Sequence, residues 1–205
     1  MTQPCAVGAV FLLLMTTVQA RGETPSSQED IVQFWNTSDL IWTTYTTSWE
    51  AQQCKADQKV NITERNITFY RAHIEDGRWY RREYNGTFRH YYNKNDTSYD
   101  AVRIQSRDRR RREKAREILH YQSKNSSCAV FWTLTSNGYQ FTAAYDLRIK
   151  DSYIKKGFSN ESECWEQFVK VKRGRRVHQT YYENCQPASV EIRMGMRSPS
   201  IQGRK

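Results

Sequence analysis

Two alternating β-prone runs that meet at Asn137-Gly138 constrain this chain more than any other stretch. The stretch from Cys128 to Cys164 opens with Cys-Ala-Val-Phe-Trp-Thr-Leu-Thr, turns, and returns through Tyr139 to Ile149. Asn-Gly between such runs predicts a β-hairpin, because both central residues of a type I′ turn need positive φ. If Ser136 pairs with Tyr139, then Val130 faces Tyr145, Trp132 faces Ala143, Leu134 faces Phe141 and Cys128 faces Leu147, giving one almost wholly apolar face. The other face sets Ala129 against Asp146, Phe131 against Ala144 and Thr133 against Thr142, with Arg148 one step beyond Asp146. A one-residue slip would mix the two faces, so hydrophobicity and turn chemistry agree. The result is a two-sided ribbon with a charged position on its polar face.

The N-terminal residues place that ribbon in a compartment. Residues 1–20 read as a secretory signal, with an apolar run from Ala6 to Met15 and a small-x-small cleavage site at Val18-Gln19-Ala20. The run is too short to span a bilayer, and no membrane span is expected. Cleavage would remove Cys5 and leave Cys54, Cys128, Cys164 and Cys185, an even set fit for two disulfides in any of three pairings. Seven of the ten asparagines (Asn36, Asn61, Asn66, Asn85, Asn95, Asn125 and Asn160) begin Asn-x-Ser/Thr sequons. Chance would give about two, so they are expected to be glycan acceptors on a secreted, extracellular glycoprotein.

The formal net charge is +10, and residues 1–20 carry none of it. Basic residues gather in Arg107–Arg116, in Lys170–Arg176 and after Arg193. Charge alone would suit nucleic acid, but a secreted glycoprotein does not meet it, and no nucleic-acid partner is expected. The remaining readings are a solvated loop or contact with an anionic surface such as a heparin-like glycan.

In chain order, Ser26 with Glu29 forms a capping box for a short amphipathic helix over Ser27–Thr37, carrying Ile31, Phe34 and Trp35 inward. Asp39–Trp49 alternates as a first strand, with Ile41, Thr43, Tyr45, Thr47 and Trp49 on one face and Trp42, Thr44 and Thr46 on the other. Cys54 falls in a polar connection. Short β-prone runs follow at Lys59–Thr63, Ile67–Ile74, Arg78–Tyr84, Thr87–Tyr92 and Tyr99–Gln105, with turns at Asp76-Gly77 and Asn85-Gly86. Ile118–Gln122 is either a strand or the approach to Cys128. After Asp151 the period changes: Ser159-Asn-Glu-Ser-Glu opens a helix with Cys164, Phe168 and Val171 as its apolar stripe and Gly174 as a stop. Val177–Tyr182 is a last extended piece. The fold class is therefore mainly β, about eight strands with tight turns forming an up-and-down barrel or a sandwich. Residues 21–188 form that domain and residues 189–205 a basic disordered tail.

A helix, about eight strands and a second helix, with cysteines after the first strand, at the start of a late strand, on the helix and near the end, resemble the tick salivary lipocalins of the histamine-binding, biogenic-amine-binding type. The resemblance covers roughly Glu29–Gln186. Its most specific part is the pattern Cys-Asp-aliphatic, spacer, Glu-Leu-Trp/Tyr, spacer, Cys, which here reads Cys128-Ala129-Val130, fifteen residues, Asp146-Leu147-Arg148, fifteen residues, Cys164. The spacing fits, while Ala129 replaces an acid and Arg148 replaces an aromatic residue. Leu40-Ile41-Trp42 also stands where lipocalins more widely carry Gly-x-Trp.

The resemblance implies an eight-stranded antiparallel barrel with a short N-terminal helix and a C-terminal helix packed outside, and disulfides Cys54–Cys185 and Cys128–Cys164. With that pairing Cys128 points out to the helix, so Ala129, Phe131, Thr133, Asp146 and Arg148 face the cavity; with another pairing the opposite parity would hold. It further implies a secreted scavenger that takes up a host mediator at a bite site to evade host defence, the ligand being histamine, serotonin, a leukotriene or a sterol. The candidate ligand-binding residues are Asp146, Arg148, Phe131, Trp42 and Tyr45, with Phe69, Trp79, Tyr91 and Trp132 as further aromatic candidates. Asp146 favours a cation and Arg148 a carboxylate, unless the two pair with each other. A protein- or glycan-binding immunomodulator with the barrel as scaffold is the alternative. No cofactor, metal or catalytic site is expected: His73, His90, His120 and His178 have no metal-ligand spacing, and no Gly-x-Ser-x-Gly elbow is present.

Overall fold

The computed structural model describes residues 30–92, 97–108, 114–136, 140–156 and 162–186. The signal segment 1–20, the Ser26/Glu29 capping box, Asn95, Asn160, the Asn137-Gly138 turn, residues 109–113 of the Arg107–Arg116 stretch and the tail 189–205 lie outside the described residues. Helix α1 (Ile31–Trp35) starts at Asp30, whose Oδ1 accepts from the backbone N–H of Val32 and Gln33. Nine strands follow: β1 (Ile41–Thr46), β2 (Gln53–Ile62), β3 (Asn66–Glu75), β4 (Arg78–Arg89), β5 (Ala101–Ser106), β6 (Lys114–Gln122), β7 (Cys128–Ser136), β8 (Phe141–Lys150) and, after two helices, β9 (His178–Gln179). The helices are α2 (Asp151–Ile154) and α3 (Glu163–Lys172).

Strands β2 to β8 pair in sequence order, β1 pairs with β8, and a β1–β2 pairing closes the ring. This is the eight-stranded antiparallel barrel of the lipocalin fold, with β9 added along β1. Closure leaves no open edge among the eight strands. One end is filled by α1, whose Ile31, Phe34 and Trp35 are fully buried against Phe69, Phe88, Val102, Leu119 and Phe131. The other end, where β1 connects to β2 and β3 to β4, is the mouth.

Disulfides join Cys54 to Cys185 and Cys128 to Cys164. Around the second, Val130, Leu147 and Ile149 pack beneath Cys164 and Phe168 of α3. The helix has Ser162 as its N-cap and ends where Arg173 and Gly174 turn left-handed.

Several local expectations change. The β7–β8 register pairs Ser136 with Phe141, Phe131 with Asp146 and Ala129 with Arg148, two residues away from the pairing a two-residue turn would impose. A shift of two keeps each side chain on its own face, so the hydrophobic pattern fits both registers and the longer connection decides. Asn85-Gly86 makes no turn, because β4 runs straight through it. Glycine is required there by crowding: a Cβ on Gly86 would lie 2.7 Å from Cγ2 of both Ile67 and Val102. The turn at Asp76-Gly77 does form, with positive φ at both residues. Cys54 belongs to β2 rather than to a connection, at a left-handed φ of 53° inside a bulge between Gln53 and Ala56. Ile118–Gln122 is strand, as the second half of β6.

Candidate functional site

The barrel interior is layered. Above the apolar floor set by α1 lies a belt of ionised side chains. Arg148, fully buried, donates from Nη1 to Glu117 Oε2 at 2.6 Å and from Nη2 to Asp146 Oδ2 at 3.1 Å. Arg71 donates to both oxygens of Asp57 at 2.6 and 2.7 Å, and to Glu117 Oε1 at 2.9 Å. Lys55 Nζ reaches Asp146 Oδ2 at 3.2 Å, and Thr46 Oγ1 donates to Asp146 Oδ1 at 2.7 Å. Three carboxylates thus face three cations, and the belt is neutral as a whole. An isolated charge at this depth would cost several kcal/mol, so mutual pairing is what makes the belt possible.

The strands explain the arrangement. Alternation points Asp57, Arg71, Glu117, Asp146 and Arg148 to the same interior, and the ladder sets Asp57 directly opposite Arg71. The observed β7–β8 register places Phe131 opposite Asp146, and the Arg148 guanidinium lies 4.5 Å from the centre of the Phe131 ring, a cation–π contact.

Burial alone would push Glu117 up, but Arg148 and Arg71 outweigh it and hold the carboxyl far below its ordinary range. Burial likewise opposes ionisation of Asp146, and Lys55 and Arg148 together pull it down. Arg148 loses by desolvation and gains more from Glu117 and Asp146, so it is charged more firmly than a free guanidinium.

Between this belt and the mouth is a cavity of about 120 Å³, with a largely hydroxyl and charged wall that includes Thr43, Thr46, Thr133, Lys55, Arg71 and Asp146. Ser48, Glu50, Gln52, Thr135 and Thr142 extend the wall toward solvent. The volume is below the roughly 300–1,000 Å³ of pockets that enclose drug-sized ligands. His73 also lines it, stacked on Tyr80 with ring centres 5.9 Å apart, and burial holds its imidazole below the usual range.

Of the five sequence candidates, only Asp146 lines this cavity. Arg148 sits beneath it, bonded to Asp146 and Glu117, and Phe131 lies beneath Arg148 against Phe34 of α1. Trp42 and Tyr45 pack on the outside of the barrel. Trp42 donates from Nε1 to Asp151 at 3.0 Å and packs near the Cys54–Cys185 bridge. Tyr45 meets Trp165 of α3, ring centres 4.9 Å apart. A register shift between Thr43 and Tyr45 breaks the alternation of β1, so that Thr43 and Thr46 face the cavity and Tyr45 turns away. Of the other aromatic candidates, Phe69 is interior, Trp79 packs on the Trp42 cluster, and Tyr91 meets Trp132 edge-on.

Sequence reasoning missed Lys55, Asp57, Arg71 and Glu117. Each is a charged residue on the inward parity of a strand, a signal visible only after register is known.

The sequon asparagines Asn36, Asn61, Asn66, Asn85 and Asn125 are all exposed. Four of them surround the α1 end: Asn36 ends α1 and binds Lys59, Asn61 and Asn66 flank the β2–β3 turn, and Asn125 follows β6. Among the described residues, no helix is long and apolar enough to cross a membrane.

No protein-family model matches the sequence, and no curated protein matches it. Solved structures do resemble the fold. AM182 in its serotonin complex is 16% identical with a TM-score of 0.54, over 78% of this chain and 97% of that one. The siderocalin Ex-FABP is 10% identical with a TM-score of 0.48, covering 71% and 90%. A dog lipocalin allergen is 11% identical with a TM-score of 0.48, covering 69% and 88%. At these identities the likeness concerns the fold.

Proposed function

We propose that this chain is a secreted, non-enzymatic lipocalin that sequesters a small, hydrophilic, positively charged ligand at the mouth of its barrel, with biogenic amines such as histamine or serotonin as the fitting class. The observation that carries this reading is the Asp146 carboxylate, ionised at the base of a polar cavity of about 120 Å³. A buried carboxylate offers an ammonium a charge-assisted hydrogen bond where little water competes. A serotonin complex of a protein with the same fold supports the class. The wall chemistry argues against the lipid alternatives, since a leukotriene or sterol needs an apolar enclosure and that half of the barrel is filled by Phe34 and Trp35. In the setting the sequence resemblance implies, tick saliva at a bite, such uptake would blunt a host inflammatory signal.

Calorimetric titration with histamine, serotonin, a leukotriene and cholesterol tests the reading. Heat with an amine that is lost in Asp146→Asn is expected. Absence of heat with both amines, or equal heat with and without Asp146, overturns it.

A second reading, binding of a host protein or anionic glycan through the outer surface, is favoured by one observation. Arg103 and Arg116 lie directly opposite each other on β5 and β6, both exposed, with exposed Lys114 two residues away. Like charges so placed repel, and among the described residues no carboxylate forms an ion pair with either arginine. Earlier salt elution of Arg103→Ser/Arg116→Ser from immobilised heparin would support it, and unchanged elution would remove it.

A further inference from the structure

The belt poses a problem for any amine ligand. It is neutral as it stands, with Asp57, Glu117 and Asp146 matched by Lys55, Arg71 and Arg148. An additional ammonium would leave one buried positive charge without a counterion, a costly state. Exchange of one cation for another carries no such penalty. Which of the three cations is able to leave is decided by their contacts.

Arg148 is fully enclosed, ion-paired to Glu117, Asp146 and Asp57 and seated on Phe131. Arg71 grips Asp57 with two parallel bonds and Glu117 with a third. Lys55 is held less firmly than either. Among the described residues its Nζ makes a single ion pair, to Asp146 Oδ2 at 3.2 Å; its side chain is 18% exposed; and it lines the cavity. Its backbone is fixed meanwhile, because Cys54 is held in the β2 bulge by the bond to Cys185. The chain therefore presents a primary ammonium on a flexible four-carbon stem at the belt carboxylate that lines the cavity.

We propose that the Lys55 ammonium is a built-in occupant of the cation subsite at Asp146, and that a ligand amine binds by replacing it while Lys55 swings out toward the mouth. The exchange forms one ammonium–carboxylate contact and breaks one, and the belt keeps its neutrality. The inference rests on the amine reading above for the identity of the ligand, but the subsite itself does not need it. Lys55 then sets selectivity: a neutral small molecule cannot replace it, and a quaternary ammonium, which has no N–H, replaces it poorly.

Lys55→Met keeps most of the stem and empties the subsite. The probe is ethylammonium chloride, read by thermal melting against sodium chloride and tetramethylammonium chloride at equal ionic strength. Lys55→Met is expected to melt below the wild type and to regain stability with ethylammonium in a saturable way, more than with either control salt. The wild type and Lys55→Met/Asp146→Asn are expected to respond to all three salts alike. Because a tethered group competes at an effective concentration of about millimolar or above, histamine should bind Lys55→Met at least about tenfold more tightly than the wild type.

An equal response of wild type and variant to ethylammonium, or weaker histamine binding by the variant, overturns the proposal. If ethylammonium rescues the variant but neither protein takes histamine or serotonin, the subsite stands and the scavenger reading falls. If histamine binds both proteins equally and ethylammonium rescues neither, the built-in occupant falls and the scavenger reading stands. Should Lys55→Met not fold in plain buffer, refolding with and without ethylammonium reads the same exchange: recovery only with ethylammonium supports it, and failure or recovery regardless overturns it.

Discussion

Arg148 Nη1 and Glu117 Oε2 stand 2.6 Å apart in the barrel interior, both side chains almost completely removed from solvent. This pairing recasts Arg148 as a member of the belt that carries the cavity, where its sequence position suggested a ligand contact. Arg148→Met should leave Glu117 and Asp146 short of a counterion and destabilise the protein by about 3–5 kcal/mol. Asp146→Asn, which retains an acceptor for Thr46 and releases Lys55 toward water, should cost less, about 1–3 kcal/mol. Urea denaturation of the two variants compares them, and equal costs would contradict the ranking.

The belt also fixes the response to acid. Glu117 and Asp146 both have folded values depressed below the ordinary 4.5 and 3.8. The unfolded chain therefore takes up their protons first, and the stability they contribute, complete above about pH 5, is lost as pH falls below those values at up to about 1.4 kcal/mol per pH unit for each proton. His73, held low by burial from 6.5, adds a shallower loss beginning below that pH, with the same sign. Stability measured from pH 7 to pH 3 should show both limbs. Glu117→Gln should flatten the lower one and His73→Gln the upper.

Gly86 is a packing requirement within β4. Gly86→Ala places a methyl group 2.7 Å from branches of Ile67 and Val102, and should cost about 1–3 kcal/mol through displaced neighbours. Gly77→Ala meets no neighbour within 4 Å, only the strain of a positive φ, and should cost about 1 kcal/mol. Melting temperatures of the two variants should keep that order.

The two disulfides close loops of different length, 131 and 36 residues. Chain entropy alone assigns about 5 kcal/mol to Cys54–Cys185 and about 4 kcal/mol to Cys128–Cys164. Removing the longer one should also free the β2 bulge that positions Lys55, so ethylammonium should begin to stabilise Cys54→Ala/Cys185→Ala. Cys128→Ala/Cys164→Ala should remain indifferent to it.

Much of this architecture was legible in the residues. The alternation of Cys128–Ile149 separated the two faces of the hairpin, and the Cys128–Cys164 pairing implied by the resemblance turned Ala129, Phe131, Asp146 and Arg148 inward. The helical spacing of Cys164, Phe168 and Val171 gave the outer helix. What escaped was whatever parity cannot determine. A shift of two residues at the hairpin leaves every side chain on its own face, so Arg148 rather than Asp146 came to face Ala129 without any sign in the pattern. Gly86 reads as a turn because a glycine needed for close approach and one needed for positive φ are the same letter. Tyr45 left the cavity through a bulge that nothing in Thr-Thr-Tyr-Thr announces. The belt was hidden for a different reason: Lys55, Asp57, Arg71, Glu117 and Arg148 come from four strands, and their compensation exists only once the ring is closed.

Helix α1, with Ile31, Phe34 and Trp35 wedged into the far end of the barrel, has a kinetic consequence. A tube stopped at one end has a single doorway, so a newcomer cannot push from behind while the occupant departs ahead of it. Each molecule must leave before the next arrives. The rate at which a bound ligand escapes should then be independent of how much competitor is supplied, and the protein would behave as a timer, with a residence interval written by its own side chains rather than by the traffic outside.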